Sequence, residues 1–297
     1  MRFLLGCLAL ATLVLLSGGC QEQQIIGGRT APSVYRRVVS LSPSTTEVMA
    51  TYSDLNGIIG RTESCNYPPT LGRVPIATKG TKPDYEVLAQ LRPDLILMDV
   101  SLYGDADIQK VKSTSGATVS LLWADKDGKP LDSHTIDAFI DWLYRFGAVQ
   151  ADPMRVSKYA DSIFQARASS LGEPLNPKPK VAVLIGGENG ESFMVAGTRS
   201  FQDDVVRAAG GEPVGPDSNR FEMANIEGLV QLNPDAILTT SNPESLFKDA
   251  RLQSIQAIRS KRVAKINEDV LLRSGARIDK LITAVHGFLA GSEKGGQ

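Results

Sequence analysis

The chain carries few side chains suited to catalysis or direct metal capture. Its 297 residues include only two histidines, His134 and His286, and three cysteines, Cys7, Cys20 and Cys65. A bare zinc site needs several neutral imidazoles or thiolates, and this set is too small to assemble one. Carboxylates are plentiful, but none has the spacing of a calcium loop. His134 follows Ser133 at a helix start and His286 lies inside the last helix, so both read as boundary or surface residues. There is no G-x-x-x-x-G-K-[ST], no G-x-S-x-G and no H-E-x-x-H. The run Gly186-Gly187-Glu188-Asn189-Gly190 follows a strand pattern, but its spacing misses the dinucleotide fingerprint and its acid would repel a pyrophosphate. The expectation is a protein that is not an enzyme, with no catalytic residues, no metal ligands and no cofactor.

The chemistry that remains is recognition, and it is duplicated. Tyr85-Glu86-Val87-Leu88-Ala89-Gln90-Leu91-Arg92-Pro93-Asp94-Leu95-Ile96-Leu97 recurs as Ile226-Glu227-Gly228-Leu229-Val230-Gln231-Leu232-Asn233-Pro234-Asp235-Ala236-Ile237-Leu238. Each copy reads as a short helix stopped before its proline, then an Asp leading into a buried strand. The flanking segments alternate in the same way. Strand patterns fall at 38–40, 57–60, 95–98 and 118–122, and again at 180–185, 236–239 and 262–266. Helical patterns fall at 45–54, 106–113, 135–146, 201–209 and 278–290. Short apolar strands separated by helices imply α/β lobes with parallel sheets and crossover helices.

Between the halves, Asp152 is a good N-cap and Pro153 fits the first helical position. Val156, Tyr159, Ala160, Ile163, Phe164 and Leu171 keep a helical stripe until Gly172 and Pro174 end it. Such a helix would be about 30 Å long and would act as a stiff strut between the lobes. The expected fold is therefore two Rossmann-like α/β lobes joined by one long bridging helix. The organisation reads as a signal segment at 1–19, a linker at 20–35, a first lobe at 36–150, the bridge at 151–173 and a second lobe at 174–297.

The first residues support export. Arg2 precedes an apolar run from Phe3 to Leu16, closed by Ser17-Gly18-Gly19-Cys20. The run suits a signal-peptide core better than a membrane span. Cys20 after small residues resembles a lipobox, with Leu16 one place further from the cysteine than usual, so lipidation at Cys20 and tethering to the outer face of the cell membrane are expected. Cys65 is then alone in the folded part and reads as structural. With a formal net charge of −1, 42% hydrophobic and 22% charged residues, the chain is a soluble globular type without the clustered basic excess of a nucleic-acid binder.

The sequence resembles the class III substrate-binding proteins of bacterial ABC importers, which capture ferric siderophores, haem and cobalamin. The resemblance rests on Arg37-Val38-Val39-Ser40-Leu41-Ser42-Pro43-Ser44-Thr45-Thr46-Glu47, on Gly57–Gly60, Tyr67-Pro68-Pro69 and Val74-Pro75, on the paired Glu/Pro-Asp blocks, and on Phe201–Gly211. It implies a monomer that holds its cargo between the lobes and docks on a permease dimer, with its ATPase subunits, through Glu86 and Glu227. For an isolated glutamate, simple stabilisation of a helix N-terminus is the better reading; equivalent placement on both lobes reverses that preference. The implied ligand contacts are Ser42, Ser44, Thr45, Arg61, Ser64, Lys79, Asp99, Arg199, Phe221 and Arg273. Where cobalamin binders of the family place aromatics, this chain has Ser64, Gly80 and Asp99, keeping only Phe221. The cations Arg61, Lys79, Lys82, Arg199, Arg220 and Arg273 point instead to an anionic iron–siderophore-like chelate. Cobalamin is the alternative. Haem is a weaker one, with Tyr103 as its candidate ligand. The same two-lobed architecture also serves enzymes, so turnover and a transport-deficient sensor stay open as other classes.

Overall fold

The structure is a computed structural model that describes residues 35–150, 152–186 and 193–291. The expected signal segment, Cys20 and Gly187–Gly190 lie outside these residues.

The first half runs β1 (Val38–Ser40), α1 (Pro43–Tyr52), β2 (Ile58–Arg61), β3 (Thr78–Lys79), β4 (Lys82–Pro83), α2 (Tyr85–Leu91), β5 (Leu95–Asp99), α3 (Asp105–Ser115), β6 (Thr118–Leu122) and α4 (Ile136–Gln150). Then come α5 (Pro153–Gly172), β7 (Lys180–Gly186), β8 (Phe193–Ala196), α6 (Phe201–Ala208), β9 (Glu212–Pro213), β10 (Phe221–Ala224), α7 (Ile226–Leu232), β11 (Ala236–Thr239), α8 (Pro243–Lys248), α9 (Gln256–Arg259), β12 (Val263–Lys265), α10 (Glu268–Leu271) and α11 (Ile278–Ala290). The first sheet has the order β2-β1-β5-β6 and is parallel throughout. The second has the order β10-β8-β7-β11-β12, with β9 paired to the other end of β7. Only its β7-β11-β12 core and β9 are parallel; β8 and β10 add an antiparallel flap that the sequence pattern does not anticipate.

The duplicated block folds the same way twice. Asp84 accepts hydrogen bonds from the backbone N–H groups of Glu86 and Val87, and Asn225 accepts from Gly228 N–H, so a short polar side chain caps α2 and α7. Each helix ends at a left-handed residue, Arg92 (φ 44°) or Asn233 (φ 40°), directly before the proline. The Asp after that proline has a structural task. Asp94 accepts from Arg36 and Arg37 N–H, and Asp235 from Lys180 N–H, tying each block to the start of β1 or β7.

α5 follows the expected bounds, with Asp152 accepting from Met154 N–H at 3.0 Å and Pro153 at the first position. It is not a free-standing strut, however. Val156, Tyr159, Ala160 and Ile163 are buried in one apolar cluster that also holds Val38, Leu97 and Phe139 of the first half and Val183, Val205, Leu281 and Val285 of the second. The bridge is the middle layer of a continuous core. Two satellite clusters lie on the outer faces of the sheets, one around Leu41, Leu88 and Ile96, the other around Leu184, Leu229 and Ile237.

Candidate functional site

The loops that follow the parallel strands converge on a cavity of about 680 Å³ between the two sheets, the place where open α/β folds gather ligands. Asp99 ends β5 and Trp123 directly follows β6; α1 contributes Ser44, α6 contributes Phe201, and β10 contributes Phe221. The volume lies in the usual range for a small-molecule pocket.

One wall is aromatic. Trp123 stacks on His134, with centroids 4.8 Å apart and planes 12° from parallel, and meets Phe139 and Phe201 at 6.4 and 6.0 Å. Its backbone sits at φ 63°, a left-handed conformation that costs a bulky residue roughly 1–2 kcal/mol and persists only where packing imposes it. Burial, helped by the nearby Arg220 charge, lowers the His134 pKa to about 4. The imidazole is therefore neutral at pH 7, and its ring nitrogens make no hydrogen bond to the described residues. Opposite in character is Asp99. Burial raises its carboxyl to a pKa of about 6, although Ser101 donates to Oδ1 from both its N–H (2.8 Å) and its hydroxyl (2.5 Å).

Ser44, Ser64, Asp99, Phe221 and Arg273 do line the cavity. The other expected contacts do not. Ser42 and Thr45 are wholly buried behind the wall: Thr45 Oγ1 bonds Ser40 Oγ at 2.8 Å, and Ser42 Oγ lies near enough to Asp99 to lower its pKa without forming a well-shaped hydrogen bond. Arg61 turns inward and donates to the carbonyls of Leu71, Val74, Thr62 and Cys65, knitting its own loop together. Lys79 pairs with Asp84 at 3.1 Å beside Glu86, away from the cavity. Arg199 pairs with Asp217 and donates to the Asp132 carbonyl. Tyr103 is buried in the outer cluster of the first sheet and does not reach the site.

Arg273 reaches the wall, but as a clasp between the halves. Its guanidinium donates to Glu47 Oε1 (3.0 Å), Asn66 Oδ1 (2.8 Å), the Ser64 carbonyl (3.0 Å) and Asp269. Arg277 grips the same Glu47 through Nε at 3.2 Å and through Nη2. Glu47 is 1% exposed, so its charge is tolerable only because two guanidiniums neutralise it. Gly275 lies between the arginines. A Cβ there would stand 2.6 Å from Glu47 Oε2, and the Gly275 carbonyl accepts from Tyr159 Oη at 2.6 Å. Cys65 is structural, its thiol within 3.0 Å of the Thr46 and Thr62 hydroxyls.

Sequence reasoning missed Trp123, His134, Phe201 and Gln202 as wall residues. Trp123 directly follows a strand assigned correctly, which was a usable signal; His134 carried none beyond its type. Glu86 and Glu227 occupy the second position of α2 and α7 and are both exposed.

A sequence profile described as periplasmic binding protein matches residues 38–270. The chain belongs to the periplasmic binding protein family. Among its relatives, an uncharacterised ABC transporter substrate-binding lipoprotein of Bacillus subtilis, YvrC, is 23% identical over 252 residues, spanning 82% of this chain and 76% of that one. Two solved periplasmic binding proteins share the fold. The vitamin B12 binding protein BtuF of Vibrio cholerae superposes with a TM-score of 0.73 at 19% identity, covering 89% of this chain and all of the other. The haem-binding protein BhuT, holding two haems, gives 0.71 at 20% identity over 86% and 98% of the two chains. This periplasmic binding protein thus has the two-lobed α/β fold of those two solved proteins.

Proposed function

We propose that the protein captures a corrinoid-type metal chelate between its lobes and delivers it to an ABC importer, tethered to the outer face of the membrane through Cys20. The observation that carries the ligand choice is the state of the cavity's charges. Of the cations expected to attract an anionic chelate, Arg61, Arg199 and Arg273 are tied to protein acceptors and Lys79 to Asp84 outside the cavity. Arg220 is the wall cation left largely to solvent, 3.8 Å from Glu222. What the wall offers is aromatic and aliphatic surface (Trp123, Phe201, Phe221, Leu102, Leu272) with three amides (Asn66, Gln202, Asn219) and three carboxyl groups at its edge, Asp99, Glu268 and the Arg273-paired Asp269. That combination suits a broad apolar macrocycle rimmed by neutral amide groups, whose N–H donors Asp99 would accept. The aromatics come from positions other than those expected, which answers the objection raised by Ser64, Gly80 and Asp99. This reading sets aside the ferric-siderophore preference drawn from sequence.

The test is a titration of the purified mature protein with cyanocobalamin, haemin and ferric desferrioxamine, followed by tryptophan fluorescence and calorimetry. Tightest saturable binding to the corrinoid, with a signal reduced in Trp123→Leu, is expected. Tight binding to the ferric hydroxamate with none to the corrinoid would overturn the ligand assignment.

A further inference from the structure

A second cavity, of about 380 Å³, shares no lining residue with the first. It opens where α5 meets the start of α11, and its wall carries four cations, Arg155, Lys158, Arg277 and Lys280, against one carboxylate, Asp279. Arg155 and Lys158 are three residues apart on α5 and so share a face; Arg277 and Lys280 have the same spacing at the start of α11. Arg155, Lys158 and Lys280 make no hydrogen bond or ion pair to the described residues. Arg277 is fixed, with its guanidinium on Glu47 and 4.6 Å over the Tyr67 ring. Tyr52 and Tyr67 also line the space, and their hydroxyls make no hydrogen bond among the described residues.

Arg277 is met by Glu47, but the other three cations repel one another around one concavity, and the single carboxylate, Asp279, offsets only part of that. An anion seated among them would reverse the balance. Three point-charge or fork donors from two helices, with two phenolic O–H donors between them, can meet several oxygens of one tetrahedral group at once. We propose that this rear cavity binds a small phosphate-type oxyanion, independently of the cargo in the cleft. The group could belong to a free phosphate or to an anionic phospholipid headgroup, since both present the same oxygens.

The experiment uses the mature protein, with calorimetric titration of inorganic phosphate at constant ionic strength and co-sedimentation with phosphatidylglycerol vesicles against phosphatidylcholine vesicles. The variant is Arg155→Gln/Lys158→Gln, two exposed side chains outside the core, with circular dichroism confirming its fold. Saturable phosphate binding that weakens about tenfold or more in the variant is expected, since each lost charge-assisted bond is worth roughly a decade. Vesicle binding selective for the anionic lipid and lost in the variant would support the site with a headgroup as its occupant. No binding in either arm, or binding unchanged in the variant, would overturn the proposal.

Discussion

At the scale of single residues, the cavity holds two groups whose protonation opposes the solvent's preference. Asp99 titrates near pH 6, above the ordinary carboxylate value of 3.8. Between those values the folded chain binds more protons than the unfolded one, so its stability falls as pH rises, and the full cost is present above about pH 6. Asp99→Asn removes that cost while keeping an acceptor for Ser101. It should stabilise the protein by about 1–3 kcal/mol at pH 7.5, with the gain vanishing as pH approaches 4, measured by urea unfolding across the range. His134 acts with the opposite sign. Its pKa is lowered to about 4, so stability is lost as pH falls from the ordinary histidine value of 6.5 to about 4. The two slopes offset each other in the wild type. Asp99→Asn should therefore respond more steeply to acid than its parent does. Asp99 is also the acceptor proposed for the cargo's amide rim, so the same variant should bind a corrinoid more weakly at pH 7.5 even though it is more stable.

At the scale of elements, the joint between α1 and the loop ahead of α11 decides how the halves meet. Glu47→Gln leaves Arg273 and Arg277 without their shared counter-charge and should destabilise by about 3 kcal/mol, in line with other buried pairs broken on one side. Gly275→Ala forces a methyl group against a carboxylate that has no room to move, and thermal denaturation should show a loss of similar size. None of this was legible in the sequence. Glu47 sits in an ordinary run of small and apolar residues, and its partners lie more than 220 positions away. The repeating elements were legible, because α2, β5, α7 and β11 are determined locally by caps, a stop before proline and an unbroken apolar strand. Residues 38–40, 118–122, 236–239 and 278–290 match their expected bounds. The antiparallel β8 and β10 escaped notice because each is only four residues long and Phe221–Ala224 is only partly buried. The cations of the cleft loops were overread for a related reason: an arginine's type shows that it seeks acceptors, but only the fold reveals that Arg61 finds them in its own backbone.

At the scale of the whole molecule, two exposed acids, Glu86 and Glu227, stand on equivalent helices of the two halves, and we propose that they dock on a two-subunit partner. Replacing both Glu86 and Glu227 by Arg should leave cargo affinity unchanged and reduce uptake through the reconstituted importer by about tenfold or more, because charge reversal at a docking rim acts on encounter and register. Unchanged uptake would remove the docking role. The continuous core has a mechanical consequence as well. With α5 packed into both halves and Glu47 clasped across them, a wide jaw-like gape would tear apolar contacts along the length of the bridge. Calorimetry should accordingly record one melting endotherm for the chain. On the proposed function, handover of the cargo then falls to the rim, where Leu102 stands 56% exposed, and an importer pushing on that lip from outside would have to do the prising.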